Sequence, residues 1–272
     1  MRKLYRRLRP LLGTFVEVGT YDDLAHFEEA VAAAFATIER VHKTLSFHDP
    51  ESELSKLNAS QGQWIKLSPL SIVALRLARS MSCASEELFN CTVGGALVSE
   101  GKLPRHFDSE FLTSGSYKDL ELRGTSARLQ RPVLITLDGI AKGYAVDLAV
   151  KAMKSLGVTS GYVNAGGDLR VFGELILPLH RREIDESLTT LGNFQEIAVA
   201  TSTVSEQYNP QYPGKILGSN NVPAHIGAWT VTSGSAWRAD ALTKVASLAS
   251  DDQRQDLITR LGGKLLTSKG LD

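Results

Sequence analysis

The chain has 272 residues, 43% hydrophobic and 22% charged, a composition that can bury a core and excludes a disordered chain. Thirty Lys+Arg balance thirty Asp+Glu, so no net basic field exists to hold nucleic acid or to press the chain onto an anionic membrane. Only the start is lopsided, with Arg2, Lys3, Arg6, Arg7 and Arg9 inside the first ten residues.

A secretory signal would follow those charges with an apolar run of about 7–15 residues. Instead the chain enters Phe15-Val16-Glu17-Val18, which alternates like a strand. No run approaches the ~18 apolar residues of a membrane helix. Cys83 and Cys91 match no metal spacing and require no oxidising compartment. The expectation is a soluble, cytoplasmic α+β protein, one domain over 1–272, with residues 1–10 as a basic N-terminal extension.

In chain order, residues 11–19 read as a strand. Phe27, Val31, Ala34, Ile38, Val41 and Leu45 then recur at helical spacing, after a capping cluster at Thr20–Asp23. Residues 45–62 are polar, with a short helical stretch around Ser52–Leu57. Ser68 and Pro69 open a second long helix carrying Val73, Leu77, Met81, Ala84 and Leu88. Residues 118–137 suggest a hairpin turning at Gly124-Thr125, its return running through 132–138. A third helix shows Ala141, Ala145, Leu148 and Ala152 on one face and ends at Gly157. Strands at 161–164 and 169–176 flank a Gly-Gly-Asp turn. Another strand at 196–201 precedes a loop of about twenty-five residues, long enough to be functional or mobile. A strand at 228–232, a helix at 236–249 and a short helix at 252–261 complete the chain. The absence of a Pro- or Ser-rich linker favours one α+β unit, in which the strand–helix units of both halves could form two similar lobes.

The sequence contains no P-loop, no Gly-x-Gly-x-x-Gly after a strand and no His-Glu-x-x-His. Among the six histidines, His42 lies on a helix beside the apolar stripe and reads as structural, whereas His48 and His225 fall in polar loops. Three segments carry chemistry. Leu137–Asp147 (LDGIAKGYAVD) joins strand to helix. Its glycines and helix-start amides suit a phosphate, with Lys142 as a mobile cation and Gly143 allowing close approach; a plain turn with a surface lysine is the alternative. Val163–Arg170 (VNAGGDLR) places Gly166 and Gly167 where a ligand could lie against the main chain. Asp168 there could bind a ribose or simply hold the turn. Asp240, Thr243 and Lys244 share a helix face at i, i+3, i+4. The Asp240 carboxylate and Thr243 hydroxyl could offer two oxygens to Mg²⁺, or Asp240 and Lys244 could form an ordinary surface pair worth a few tenths of a kcal/mol.

Together the segments LLGTFVEV, FHDPESELSKLN, LFNCTVGGAL, LDGIAKGYAVD, VNAGGDLRVFG, AVATS and ADALTK stand in the order seen in the FAD:protein FMN transferases, the ApbE family. The resemblance spans roughly residues 11–250, and LDGIAKGYAVD followed by VNAGGD is its most specific part. It implies a T-fold-like α+β architecture of antiparallel sheets with packed helices, with FAD in a cleft. It further implies Mg²⁺-dependent transfer of FMN from FAD to a Ser/Thr hydroxyl of an acceptor protein, releasing AMP. On this resemblance the Ala141 carbonyl and Asp240 are metal ligands, with Thr243 beside them, and Asp240 and Lys142 are the catalytic pair. Lys142, Asp147, Gly166, Gly167 and Asp168 surround the flavin nucleotide. Ser52, Glu53, Thr92, Thr201 and Lys244 complete the cleft.

The chain departs from the family pattern in three places. Thr201-Ser202-Thr203 stands where Thr-Ser-Gly is common. Lys215–Asn220 stands where a His-x-x-Asp-Pro-x-Thr-Gly segment, whose His is a candidate base, usually lies. Lys244 stands where a small residue or Thr is frequent, so its ammonium could occupy or partly replace the Mg²⁺ position. The last two departures support an alternative of a catalytically silent FAD-binding flavin carrier.

Overall fold

The computed structural model describes residues 3–21, 24–106, 108–205, 216–219 and 222–266. Asp22 and Asp23 of the capping cluster, Lys215 and Asn220, and residues 206–215 of the long loop lie outside the described residues.

The basic start is a strand rather than an extension. β1 (Tyr5–Leu11) pairs in full with β2 (Thr14–Thr20) across the turn Leu12-Gly13. Both turn residues have positive φ, 57° and 69°, which is the twist a two-residue hairpin loop needs. Residues 6–10 of β1 are exposed on both sides, so no apolar alternation marks the strand in the sequence. Arginines on such an edge also discourage pairing with other chains.

The long helices form where the spacing predicts them. α1 (Leu24–Leu45) buries Phe27, Val31, Ala34, Ile38, Val41 and Leu45. α2 (Glu53–Asn58) is capped by Ser52, whose Oγ accepts from Ser55 N at 3.0 Å. Next come β3 (Ile65–Lys66), α3 (Pro69–Ala84, capped by Ser68) and α4 (Gly94–Ser99), the last unmarked in the sequence. β4 (Leu120–Arg123) and β5 (Ser126–Leu129) form the hairpin at Gly124-Thr125. Residues 132–138 do not extend it. The Asn58 side chain grips Ile135 instead, donating to its carbonyl at 2.9 Å and accepting from its amide at 2.8 Å.

The remainder is α5 (Ala141–Ser155), β6 (Gly161–Ala165), β7 (Asp168–Phe172), β8 (Leu177–Arg182), β9 (Leu188–Phe194), β10 (Ala198–Val204), β11 (Gly227–Ser233), α6 (Ala236–Leu248), α7 (Asp251–Arg260) and β12 (Gly263–Leu266).

One seven-stranded sheet, ordered β1-β2-β6-β7-β10-β11-β12, is antiparallel at every pairing. Small sheets β3-β5-β4 and β8-β9 flank it. Period-2 alternation sends Val16, Val18, Val163, Ala198, Ala200 and Val231 into the main core shared with α1, α5 and α6. The opposite face carries Tyr162, Leu169, Val171, Val199 and Leu266, packed with residues of the β8–β9 hairpin and its approach. Buried Arg181 pins that hairpin, donating to the Leu266 carbonyl at 3.3 Å. This is the expected α+β architecture of antiparallel sheets and packed helices. The main core is a continuous cluster from Val16 to Ile258. Among the described residues, no helix is long and apolar enough to cross a membrane.

Candidate active site

A cleft of about 820 Å³ opens where several chain reversals meet. Its walls are the β1–β2 turn, the C-terminal end of α1 with loop 46–48, and the start of α5. The rest comes from the 88–97 segment, the β6–β7 turn, residues 180–182 of β8, the middle of β10, residues 216–217, and Lys244 and Leu248 at α6. Such volume accommodates a drug-sized or nucleotide-sized ligand.

The β6–β7 turn needs its glycines. Gly166 and Gly167 have φ of 64° and 102°, a region that side chains disfavour. A Cβ on Gly167 would meet only the Thr201 carbonyl, at 3.9 Å, so open space lies over Gly167, whereas a Cβ on Gly166 would fall 2.4 Å from Thr14 Oγ1. Asn164 Oδ1 fixes the turn by accepting from Gly167 N at 3.0 Å.

Two lysines reach the cleft, and each is held by a buried aspartate. Lys142, in the first turn of α5, places Nζ 3.3 Å from Asp168 Oδ2. That oxygen is buried and has no donor with hydrogen-bond geometry, so the pair is held by charge. Lys244 forms an ion pair with Oδ1 of fully buried Asp240. The other Asp240 oxygen, Oδ2, accepts from Gly143 N at 3.1 Å. Asp168's negative charge pushes the Lys142 ammonium above its ordinary value, so it stays protonated. Burial, reinforced by the charge of Asp240, pushes Asp168 up to about 6. Asp138 lines the cleft and is exposed within it, with protein close around its carboxyl. Burial raises its pKa, and the charges of His48, Lys142 and Lys244 oppose the rise.

Of the residues the sequence singled out, Ala141, Lys142, Gly166, Gly167, Thr201 and Lys244 line the cleft. Asp168 and Asp240 stand behind the two lysines. The structure gives the others supporting positions instead. Asp147 caps the start of α6, accepting from Ala236 N at 3.0 Å and Trp237 N at 2.9 Å, and pairs with Arg170. Glu53 accepts from Ser68 N and Oγ, both at 2.9 Å, at the start of α3. Ser52 Oγ donates to the Ser46 carbonyl at 2.6 Å, shaping the 46–48 wall. Thr92 Oγ1 donates to Asn90 Oδ1 at 2.7 Å and so orients a cleft residue. Thr243 Oγ1, fully buried, donates to the Asp240 carbonyl at 2.7 Å and meets Ser202 Oγ at the same distance.

Gly143 does permit close approach, but to α6: a Cβ there would fall 2.3 Å from the Ala236 carbonyl oxygen. His42 is exposed and lines the cleft, contrary to its structural reading; it sits at the solvent margin of the stripe, a margin that periodicity cannot separate from a cleft wall. His48 also lines the cleft, and His225 does not. The residue that sequence reasoning passed over is Asp138, which sits inside the quoted LDGIAKG motif; a carboxylate directly before a glycine-started helix was the available signal.

The donor set does not fit a divalent metal. Each Asp240 oxygen already has a partner, and the Thr243 hydroxyl is directed to the Asp240 carbonyl and to Ser202. Mg²⁺ demands near-octahedral oxygen coordination, and here an ammonium already occupies the free side of the carboxylate.

Fold and cleft together define an antiparallel α+β protein with a deep, lysine-edged ligand cleft. The chain belongs to the ApbE family, whose sequence profile matches residues 12–266. It is 32% identical over 178 residues to an FAD:protein FMN transferase of Rhodobacter capsulatus, a match covering 60% of this chain and 34% of that protein. It thus spans about a third of that relative's length. A second FAD:protein FMN transferase, from Klebsiella pneumoniae (strain 342), is 25% identical over 226 residues, covering 77% of this chain and 69% of that one. Among solved structures, the apo flavinyl transferase ApbE of Pseudomonas stutzeri superposes with a TM-score of 0.81 at 19% identity, covering 98% of this chain and 95% of its own. The ApbE protein of Thermotoga maritima gives 0.81 at 21% identity, covering 97% and 93%. Both likenesses show the fold.

Proposed function

We propose that the protein is a flavin transferase that takes FAD into this cleft and moves its FMN moiety to a Ser or Thr hydroxyl of an acceptor protein, releasing AMP. The observation that carries the reading is the pair of aspartate-held ammoniums, Lys142 and Lys244, and the open face of Gly167 in a cleft of about 820 Å³. A dinucleotide diphosphate carries two negative charges, and lysines act on phosphate as point cations. The glycine turn leaves room for a ligand against the main chain, so FAD fits the residues present.

In the reaction, the acceptor oxygen bonds to the FMN phosphorus while the phosphoanhydride bond to the AMP phosphate breaks. The hydroxyl proton is released, and AMP leaves with the bridging oxygen. Phosphoryl-type transfer relies on positioning and on charge stabilisation more than on covalent help. Lys142 and Lys244 supply fixed positive charge as negative charge builds on the leaving phosphate. Asp138, facing the same cleft with a raised pKa, is the group placed to accept the proton. The magnesium dependence implied by the resemblance is not carried over, because the residues do not fit the metal. Balanced charge argues against a nucleic-acid partner, and the free thiols of Cys83 and Cys91 suit a reducing cytoplasm.

The engagement of Asp240 by Lys244 also supports a second reading, a silent FAD-binding carrier. One experiment separates the two. Incubation with FAD and a Ser/Thr-bearing acceptor, followed by mass spectrometry, yields an FMN adduct and equimolar AMP for the transferase. FAD retained with neither product identifies the carrier, and AMP without adduct rejects both.

A further inference from the structure

The Lys244 stem passes over Gly139, where even an added Cβ would lie 3.5 Å from its Cγ and Cε, so a side chain at position 139 would come into contact with it. Its ammonium rests on Asp240 Oδ1, one helical turn back, and 16% of the side chain remains accessible. Asp240 is fully buried, and its other oxygen is fixed by Gly143 N. An oxygen-seeking ion that approached Oδ1 from the cleft would therefore meet the Lys244 ammonium. The neighbouring Thr243 hydroxyl is buried and directed to the Asp240 carbonyl and to Ser202.

Beside this pair lies a second one, Lys142 with Asp168. The result is two Lys–Asp pairs whose ammoniums both face the cleft. A divalent ion at Asp240 would have to displace the Lys244 ammonium. It would otherwise sit within a few ångströms of a like charge, which repels it strongly in a partly buried site.

We infer that Lys244 is a tethered cation that takes the place of a divalent metal at the FAD diphosphate, so that this protein binds FAD without metal. The inference rests on the flavin reading of the cleft. Each ammonium is balanced by its own aspartate, so what it offers the diphosphate is fixed N–H donors and local positive potential, three donors apiece without any coordination geometry. Asp240 then acts as a positioning residue, and its partner Lys244 touches the ligand.

The test measures FAD binding by flavin fluorescence in EDTA and in excess Mg²⁺, with Mn²⁺ alone as a paramagnetic probe of the Asp240 site. The wild-type protein is expected to bind FAD equally in both buffers and to leave the Mn²⁺ resonance unbroadened. Lys244→Ala is expected to lose about ten- to a hundredfold in affinity in EDTA, to recover part of it with Mg²⁺, and to bind Mn²⁺. Lys244→Arg should remain indifferent to metal. FAD binding by the wild type only with Mg²⁺, Mn²⁺ binding by the wild type, or undiminished affinity of Lys244→Ala in EDTA would each overturn the inference while leaving the flavin reading standing. No FAD binding by any form in either buffer would overturn both. If Lys244→Ala fails to fold, the two wild-type measurements still decide.

Discussion

Asp168 concentrates the electrostatics of the cleft in one side chain. Its carboxyl is buried, lies near the negative charge of Asp240, and is only partly offset by Lys142 and Lys244, which places its pKa at about 6 against an ordinary 3.8. A group whose native pKa is raised holds a proton that the unfolded chain has already lost. Its contribution to stability is therefore complete below about pH 4 and disappears as the pH rises to about 6. Asp168→Asn cannot ionise and should lack this slope. Urea unfolding between pH 4 and 7 should show the wild type losing about 2 kcal/mol more than the variant across that window. Parallel curves for the two proteins would mean that the carboxylate is far better solvated than its burial indicates. Lys142 stays protonated throughout, so it adds no slope of its own.

At the scale of elements, the contact between α5 and α6 sets the cleft, because it carries Lys142 and Lys244 on adjoining helices. Two features fix that contact. Gly143 lets the backbones meet, and Asp147 supplies hydrogen bonds to the first amides of α6. Gly143→Ala would press a methyl carbon against backbone atoms that cannot move aside, so it should cost about 1–3 kcal/mol. Asp147→Ala removes the cap and strands Arg170, at a cost of about 1–2 kcal/mol. Both losses should appear as lower denaturation midpoints, and Asp147→Ala should retain FAD affinity once folded; a wild-type midpoint for either variant would contradict the packing described. The sequence marked α5 and α6 because caps, glycines and apolar spacing are local signals. It could not show that Asp147 faces α6 instead of a nucleotide, because that contact joins residues about ninety positions apart. β1 and the β8–β9 hairpin escaped for a related reason. β1 is an exposed edge without an apolar face, and the hairpin mixes Arg, Thr and Gly on strands whose apolar residues pack onto a distant sheet. The two lysines were readable singly, whereas their convergence depends on the order of strands in the large sheet.

For the whole molecule, the cleft is lined from nearly every part of the chain, from Leu12 in the first hairpin to Leu248 at the end of α6. A ligand seated there bridges elements that otherwise meet only through the core, so binding should register as global stabilisation. At a free FAD concentration of a hundred times Kd, linkage adds about 2.7 kcal/mol. For a chain of this size each kcal/mol moves Tm by about 2–4 °C, so FAD should raise Tm by about 5–10 °C in a thermal scan. Lys142→Ala leaves Asp168 without its cation and removes one diphosphate partner, so most of the FAD-induced shift should vanish. Arg260→Ala is a suitable control. It removes only an exposed pair with Glu86 at 3.5 Å on the far helix α7, a contact worth little in water, and it should keep the full shift. Equal shifts in wild type and Lys142→Ala would mean that FAD binds without the α5 lysine, and the cleft's polarity would then have to be assigned anew.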